Sequence, residues 1–401
     1  MISPWSRQDF QVAPGPALLA GVGDGPSLVA HRRRYGDLPS VTGPEVAAAC
    51  EQVALRGRGG AAFPFARKLS AVLATGGRPV VVVNAAEGEP ASGKDSVLVR
   101  HAPHLVLDGA MLLAAALRAR EVHVVTPRER PAVGEAVRRA LAERADRPRV
   151  RVHATTTGFV AGQARAVLEL MAGRPGRPVT AWQPEAMSGH RGRPTLLSNA
   201  ETWAQVARLL LLGVDRYREH GTPAEPGTTL LTVGARRVVE VPYGTRLSDV
   251  LGPDPGPTLL GGFHGTWLDH GTLRDARIEV DALRAAGTPL GAGVLLPAPG
   301  CPVETTARIA AYLAGESAGR CGPCVNGLPA LASSLGRLAT GGPAAEEAGE
   351  RVRQLCGLLP GRGACAHPDG SVRLARSLLT AYADEVAAHV AHGCDAGRWA
   401  A

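Results

Sequence analysis

The chain has 401 residues, 45% of them hydrophobic and only 4% aromatic, so a core large enough for two or three domains has to be built from Ala, Val and Leu. The net charge of +8 is carried by arginine, lysine occurring only as Lys68 and Lys94. The charge reads first as a general arginine bias that aids solubility; the basic run His31–Gly36 (HRRRYG) is short and lacks interleaved aromatics, which argues against nucleic acid and makes an acidic protein partner the better use of such charge.

No stretch reaches the ~20 apolar residues of a transmembrane segment. The N-terminus MISPWSRQDF lacks the basic-then-apolar pattern of a signal peptide, so a cytoplasmic location is expected. Seven cysteines in such a chain argue against a disulfide framework and leave metal or redox chemistry open.

Residues 1–40 read as an N-terminal extension without clear periodicity. Glu45–Leu55 then predicts a helix that runs into the glycine-rich loop RGRGGAAFP, Arg56–Pro64, ahead of another helix. The continuous apolar run Pro79–Asn84 suits a buried parallel strand. Leu107–Arg118 is a predicted helix, Glu121–Thr126 a strand, Pro131–Ala145 a helix and Val150–Ala154 a strand. Strands alternating with helices define an α/β domain. Gln163–Met171 and Glu201–Leu212 add helices to it. From Thr228 to about Leu290 the pattern changes to short β runs (TLLTV, RRVVEVP, PTLLGGF, GTWLDH), which suggests a small separate β-rich domain. From Val303 onward the chain is mostly helical.

Two places carry chemistry. Consecutive glycines let a backbone approach a ligand and aim N–H groups at phosphate oxygens. Alone such a loop is weak, since the chain has 50 glycines. It gains weight from NAAEGEPASGKD, Asn84–Asp95, which opens at the carboxyl end of a strand, where α/β sheets bind ligands. Both lysines fall in these segments, as expected if a compact ammonium is needed there. The second place is ESAGRCGPCVNG, Glu316–Gly327, with Cys321 and Cys324 in C-x-x-C spacing.

LRGRGGAAFPFARK, VNAAEGEPASGKD and PHLVLDGA, followed by GFVAGQ, GRPTLLSNAET, ESAGRCGPCVNG and GACAHPDG, resemble the NADH-oxidising flavoprotein subunit of respiratory complex I and its counterparts in NAD-dependent hydrogenases and formate dehydrogenases. The resemblance covers about residues 45–400. It implies an FMN-binding α/β domain at 41–220, a ubiquitin-like β-grasp (SLBB) domain at 221–295 and a C-terminal helical bundle at 296–401 that holds a [4Fe–4S] cluster. Gly57, Arg58, Gly59, Gly60, Lys68, Asn84, Glu87 and Asn199 would line the flavin, with Gly162 in the same cofactor site. Phe63 and Glu89 would meet the nucleotide, and Cys321, Cys324 and Cys365 would hold iron. The implied activity is that of an NADH dehydrogenase-like oxidoreductase. It would pass electrons between NAD(P)H or a ferredoxin and an iron–sulfur or haem partner, as a cytoplasmic subunit able to attach peripherally to a membrane-associated reductase complex. Quinone would be reduced elsewhere.

The sequence also departs from the family. The first cluster cysteine is Ala318, and an alanine methyl cannot bind iron. Three readings are open: a substitute ligand (Cys356, His367, Asp369 or water, with Cys301 less suited), a three-iron cluster, or a vacant remnant. Cys50 and Cys394 read as a buried helix residue and a tail residue. On the nucleotide side Ala86 replaces an acid, Gln163 and Ala164 replace two glutamates, Ala71 replaces an aromatic, and AWQPEA has lost a lysine and a phenylalanine. Stacking is worth roughly 0.5–1.5 kcal/mol per aromatic pair, so weak NADH binding is expected, with Trp182 as a substitute stacking partner. The alternative function is a non-catalytic docking module that has lost the nucleotide and its cluster.

Overall fold

The structure, a computed structural model, describes residues 9–145, 148–155, 158–298 and 300–394. The chain divides at Thr245–Arg246 into two compact units. This boundary falls inside the 221–295 stretch read as one β-rich domain.

In the first unit β1 (Gln11–Val12) precedes four parallel strands: β2 (Val80–Asn84), β3 (Glu121–Thr126), β4 (Val150–Ala154) and β5 (Thr195–Asn199). Their spatial order is β4-β3-β2-β5. The chain thus builds outward from β2 in one direction and returns to its other side, which makes the β2/β5 edge a topological switch point. Val80, Val81, Val82 and Val83 are all fully buried, as a continuous β-branched run between two layers of helices should be. β5 leaves little mark in sequence because TLLSN has no run of β-branched residues like the valines of β2 and leads directly into a helix.

Trp203 lies at the centre of this core. Its ring meets Phe65 edge-on at 5.9 Å, and its Nε1 donates to the carbonyls of Val82 and Ser198, both at 3.0 Å. Helices Pro103–Ala116 and Ala200–Arg218 touch beside it. A Cβ on Gly109 would fall 2.0 Å from the Trp203 carbonyl oxygen, so this crossing needs glycine. The second helix is broken at Gly213 (φ 84°), just past the predicted end of Glu201–Leu212. No single described helix is long and apolar enough to cross a membrane; the pair Lys94–His101 and Pro103–Ala116, bent by 92°, is buried in the core.

The same unit contains the antiparallel hairpin β6 (Thr228–Val233) and β7 (Arg237–Pro242), with β1 parallel to β7. The buried Glu240 carboxylate of β7 accepts from the backbone amides of Ala17, Leu18 and Leu19 at 2.7–3.1 Å. The N-terminal extension is therefore anchored and not free of structure. Its helix Leu28–Tyr35, capped by Ser27, carries most of the HRRRYG run. His31 and Arg32 from that run, together with Arg144, converge on the fully buried Asp108 at 2.7–2.8 Å.

Burial alone would raise the Asp108 pKa, but the hydrogen bond from His31 and the charges of Arg144 and Arg32 hold it below the ordinary carboxylate value. A lowered folded-state pKa gives stability that is present above the unfolded value, about 3.9, and lost as pH falls through the folded one. The urea midpoint should therefore drop on acidification below about pH 4. Asp108→Asn should flatten that part of the profile; an unchanged slope would remove Asp108 as its source.

The second unit opens with short antiparallel strands β8 (Thr258–Leu260), β9 (Thr266–Leu268) and β10 (Val294–Pro297), with β8 between the other two. Helices Pro302–Gly315, Leu328–Thr340, Ala345–Leu358, His367–Ala381 and Ala383–His392 follow. A π-helical turn at Pro323–Gly327 lies between the first two, on the CGPC motif.

Candidate active site at the β2/β5 switch point

Asn84 and Asn199 end β2 and β5 and are direct register partners. Two of the three asparagines in the chain thus stand side by side at the carboxyl edge of the switch point. Asn84 Nδ2 donates to the Gly162 carbonyl at 2.8 Å, and its Oδ1 accepts from the Ala86 amide at 3.2 Å. Gly88 is fitted against the same turn: a Cβ there would lie 2.4 Å from the Phe159 carbonyl oxygen. Asn199 caps helix Ala200–Arg218, accepting from Thr202 N, and its Nδ2 donates to the Arg58 carbonyl at 3.2 Å.

The glycine loop closes over this edge. An Arg56–Pro64 bridge and a Gly57 N to Phe63 O bond of 2.9 Å pinch its base. The Arg58 amide donates to Thr202 Oγ1 at 2.8 Å. Gly60 (φ 93°) and Ala62 (φ 47°) occupy the left-handed region. Gly59 is exposed with open space on its Cβ side, and the amides of Gly59 and Gly60 donate to no group among the described residues. Unused N–H groups on an open, positively twisted loop fit an anionic or flavin ligand.

Several side chains expected at the ligand are turned into the protein. The Arg58 guanidinium is buried, with Tyr243 beneath it at 4.8 Å and the Thr228 carbonyl at 3.3 Å. Glu87 (φ 44°) places its carboxylate on the first turn of helix Lys94–His101. It accepts from the amides of Asp95 and Ser96 at 2.9 and 3.0 Å, from Ser92 Oγ at 2.8 Å and from Arg130 at 2.7 Å. Burial would raise its pKa, but Arg130 and these donors hold it below the usual range. Glu87 thus occupies the helix terminus that would otherwise attract an anion. Lys68 spans to Glu185 at 3.1 Å and to the Leu197 carbonyl at 3.0 Å.

Lys94 is the centre of a buried charge cluster. Its Nζ lies 3.0 Å from Asp95 Oδ2 and 2.9 Å from Glu201 Oε2. Burial would lower its pKa, yet these two carboxylates hold it above the ordinary lysine value. Asp95 in turn accepts from the Glu201 amide at 2.8 Å and from Asn199 Nδ2 at 3.1 Å, which links the cluster to the switch-point asparagine. Sequence reasoning missed Asp95, Arg130, Glu201 and Thr202 as supports of the site. The adjacency of Glu201 and Thr202 to Asn199 in SNAET was the available signal.

On the nucleotide side Phe63 is half exposed, with Arg67 5.8 Å from its ring. Glu89 Oε1 accepts from the Ala91 amide at 3.2 Å. Ala86 is buried and Trp182 is fully exposed.

In the helical unit Cys321 and Cys365 lie close enough to Cys324 to act on its thiol, which burial, together with these neighbours, pushes up to about 12. Ala318, beside them in sequence, is buried. Two of the substitute ligands, His367 and Asp369, are otherwise engaged. His367 directs Nε2 to the Leu313 carbonyl at 2.8 Å and Nδ1 to His264 at 3.0 Å. Asp369 accepts from the Gly361 amide at 2.8 Å. Cys356 is buried, and the charged neighbour that acts on it is Arg376. The thiols here that could hold a cluster are three, one short of the four thiolates that a [4Fe–4S] cluster takes.

A parallel α/β unit with an open glycine loop at its switch point, followed in the chain by a helical unit with a C-x-x-C turn, defines a flavoprotein-type electron-transfer subunit. Residues 50–208 match the family model of the Nuo51 FMN-binding domain, and residues 304–389 match that of the NADH-ubiquinone oxidoreductase-F iron-sulfur binding region. The chain is 30% identical over 371 residues to the F-type subunit of NADH-quinone oxidoreductase from Mycobacterium bovis, across 84% of this chain and 83% of that one. It is 28% identical over 419 residues to the second F-type subunit of the same enzyme from Rhizobium meliloti, covering 97% and 98% respectively. A crystal structure of an NAD+-reducing [NiFe]-hydrogenase in the H2-reduced state shares the fold, with a TM-score of 0.83 at 23% identity over 96% of this chain and 68% of that one. The chain belongs to the family of F-type NADH-quinone oxidoreductase subunits, as a divergent member.

Proposed function

We propose that the chain binds FMN at the β2/β5 switch point and acts as the flavin-dependent electron-transfer subunit of a multi-subunit reductase. The observation that carries this reading is the Asn84–Asn199 pair beneath a glycine loop whose Gly59 and Gly60 amides are unused among the described residues. When bound, FMN supplies the means to accept a hydride as an electron pair and to release the electrons singly. The protein holds the ligand in place. Gly59 and Gly60 present backbone N–H groups, Gly57 pinches the base of the loop, Asn84 and Asn199 fix the floor, and Arg58, Glu87 and Lys68 brace the surrounding segments from inside. The strands and short helices between residues 228 and 297 support the β-grasp (SLBB) reading of that stretch.

Apoprotein titrated with FMN by calorimetry should bind it near one to one and develop the flavin absorbance of a protein-bound ring. Absence of heat and of any spectral change would overturn the reading. NADH should bind more weakly than about 1 μM, since each lost contact of about 1.4 kcal/mol is a factor of ten, and it should reduce the flavin slowly. The remaining aromatic candidate, Trp182, is fully exposed. Micromolar or tighter binding that is lost in Trp182→Ala would show a rebuilt pocket. A ferredoxin-like protein is then the favoured donor or acceptor, with an iron–sulfur or haem protein on the other side.

One observation favours the docking-module alternative: Ala86 and Ala318 remove one contact from each cofactor site at once. FMN binding by the full chain separates the two readings.

A further inference from the structure

A second group of metal-type donors lies in the helical unit, apart from the CGPC motif in sequence. Cys301, Glu385, His389 and Cys394 each offer one donor atom, and all four atoms lie within 4.8 Å of one another. They come from three places. Cys301 is the residue before helix Pro302–Gly315, Glu385 and His389 are one turn apart on helix Ala383–His392, and Cys394 follows that helix.

The separations suit a single small ion. Cys301 Sγ is 3.2 Å from His389 Nε2 and 3.8 Å from Glu385 Oε1, and the latter two atoms are 3.6 Å apart. A tetrahedral zinc with ordinary bond lengths spaces such ligand pairs at about 3.3–3.8 Å. The imidazole is already oriented as a ligand. Its Nδ1 lies 3.1 Å from the Ala339 carbonyl, an acceptor only, so Nδ1 carries the proton and Nε2 turns its lone pair to the cluster. Burial pushes the free Cys301 thiol up to about 12, against the pull of the Glu304 and Val303 amides at the helix start, so a bound ion would have to displace its proton. A hydrogen-bonded Cys–His pair would account for two of these side chains, but not for the convergence of all four.

We propose that Cys301, Glu385, His389 and Cys394 form a closed structural zinc site. Two thiolates, an imidazole and a carboxylate are a borderline-soft, four-coordinate set with no position left for substrate. The ion would fasten the chain after its last described helix to the start of the first helix of the bundle. The signal in sequence is Glu385-x-x-x-His389 on one helix face with Cys394 just beyond, which makes Cys394 more than a tail residue.

The test is metal analysis of the full chain, purified anaerobically and equilibrated with zinc, then freed of loose metal. About one tightly held zinc per chain is expected, together with thiolate-to-metal charge-transfer absorption when Co2+ replaces it. Cys301→Ser and Cys394→Ser should each weaken retention at least about tenfold, while Cys321→Ser should leave the zinc in place. The milder Glu385→Gln should remain folded by circular dichroism and show a shifted cobalt spectrum. No retained zinc in the wild type, a Cys301–Cys394 disulfide on peptide mapping, or a cobalt spectrum unchanged in Cys301→Ser would each overturn the proposal.

Discussion

Lys94→Met is expected to cost the first unit about 3–5 kcal/mol of folding free energy, the range found when one partner of a buried ion pair is removed. Methionine keeps the length and loses the charge. It leaves Asp95 and Glu201 facing each other, buried, without their cation. Burial already pushes the Asp95 pKa above its ordinary value against the pull of Lys94, and without Lys94 it must rise further. A group with a raised folded-state pKa binds protons in the native state, so the variant should lose stability as pH rises through that pKa and recover part of it on acidification. Urea denaturation across pH reads both effects. Lys94→Arg should not rescue, because a larger planar guanidinium does not fit a site closed around an ammonium. FMN affinity should fall with stability, through Asp95, Asn199 and the Arg58 carbonyl. A variant with a wild-type midpoint would show that the cluster does not support the site.

Ala318→Cys should convert a labile iron–sulfur centre into a robust one. Cys321, Cys324 and Cys365 would supply three thiolates to a cluster, while His367 and Asp369 are committed to other partners. With three protein ligands one iron is open to solvent or small molecules, and such a centre should be lost in air. The added cysteine lands on a buried position beside the C-x-x-C turn, where the family has its own. After anaerobic reconstitution, iron content, acid-labile sulfide and EPR signal should all survive longer in Ala318→Cys than in the wild type. Cys321→Ser should abolish them. If only Ala318→Cys assembles a centre, the wild-type chain is a flavoprotein without an iron–sulfur cluster, and its electrons leave by another route.

What could be read from sequence was what local pattern controls. The valine run of β2 and the alternation around β3 and β4 are short-range signals, and those strands lie where the pattern placed them. Helix Lys94–His101 has no such local mark, because its start depends on Glu87, a carboxylate from an earlier segment. At the site the glycine loop and both asparagines were legible, since backbone conformation and strand ends leave traces in sequence. The direction in which a long side chain turns leaves none. Arg58 points inward because Thr228 and Tyr243 wait there, far along the chain, and Glu87 does so because of Arg130, 43 residues on. The Cys301 group escaped notice for the same reason, its members being separated by most of the helical unit.

The grip of Glu240 on Ala17, Leu18 and Leu19 also orders events during synthesis. The segment leaves the ribosome well before its acceptor, which is made more than 220 residues later. Closing so long a loop carries a large entropic cost that is met only once β6 and β7 have paired. Ala17, Leu18 and Leu19 are therefore expected to be among the last residues of their unit to dock. Their amides should exchange with solvent deuterium as readily as the hairpin opens, so slow exchange at Leu18 would report on the far end of the unit and not on its own surroundings.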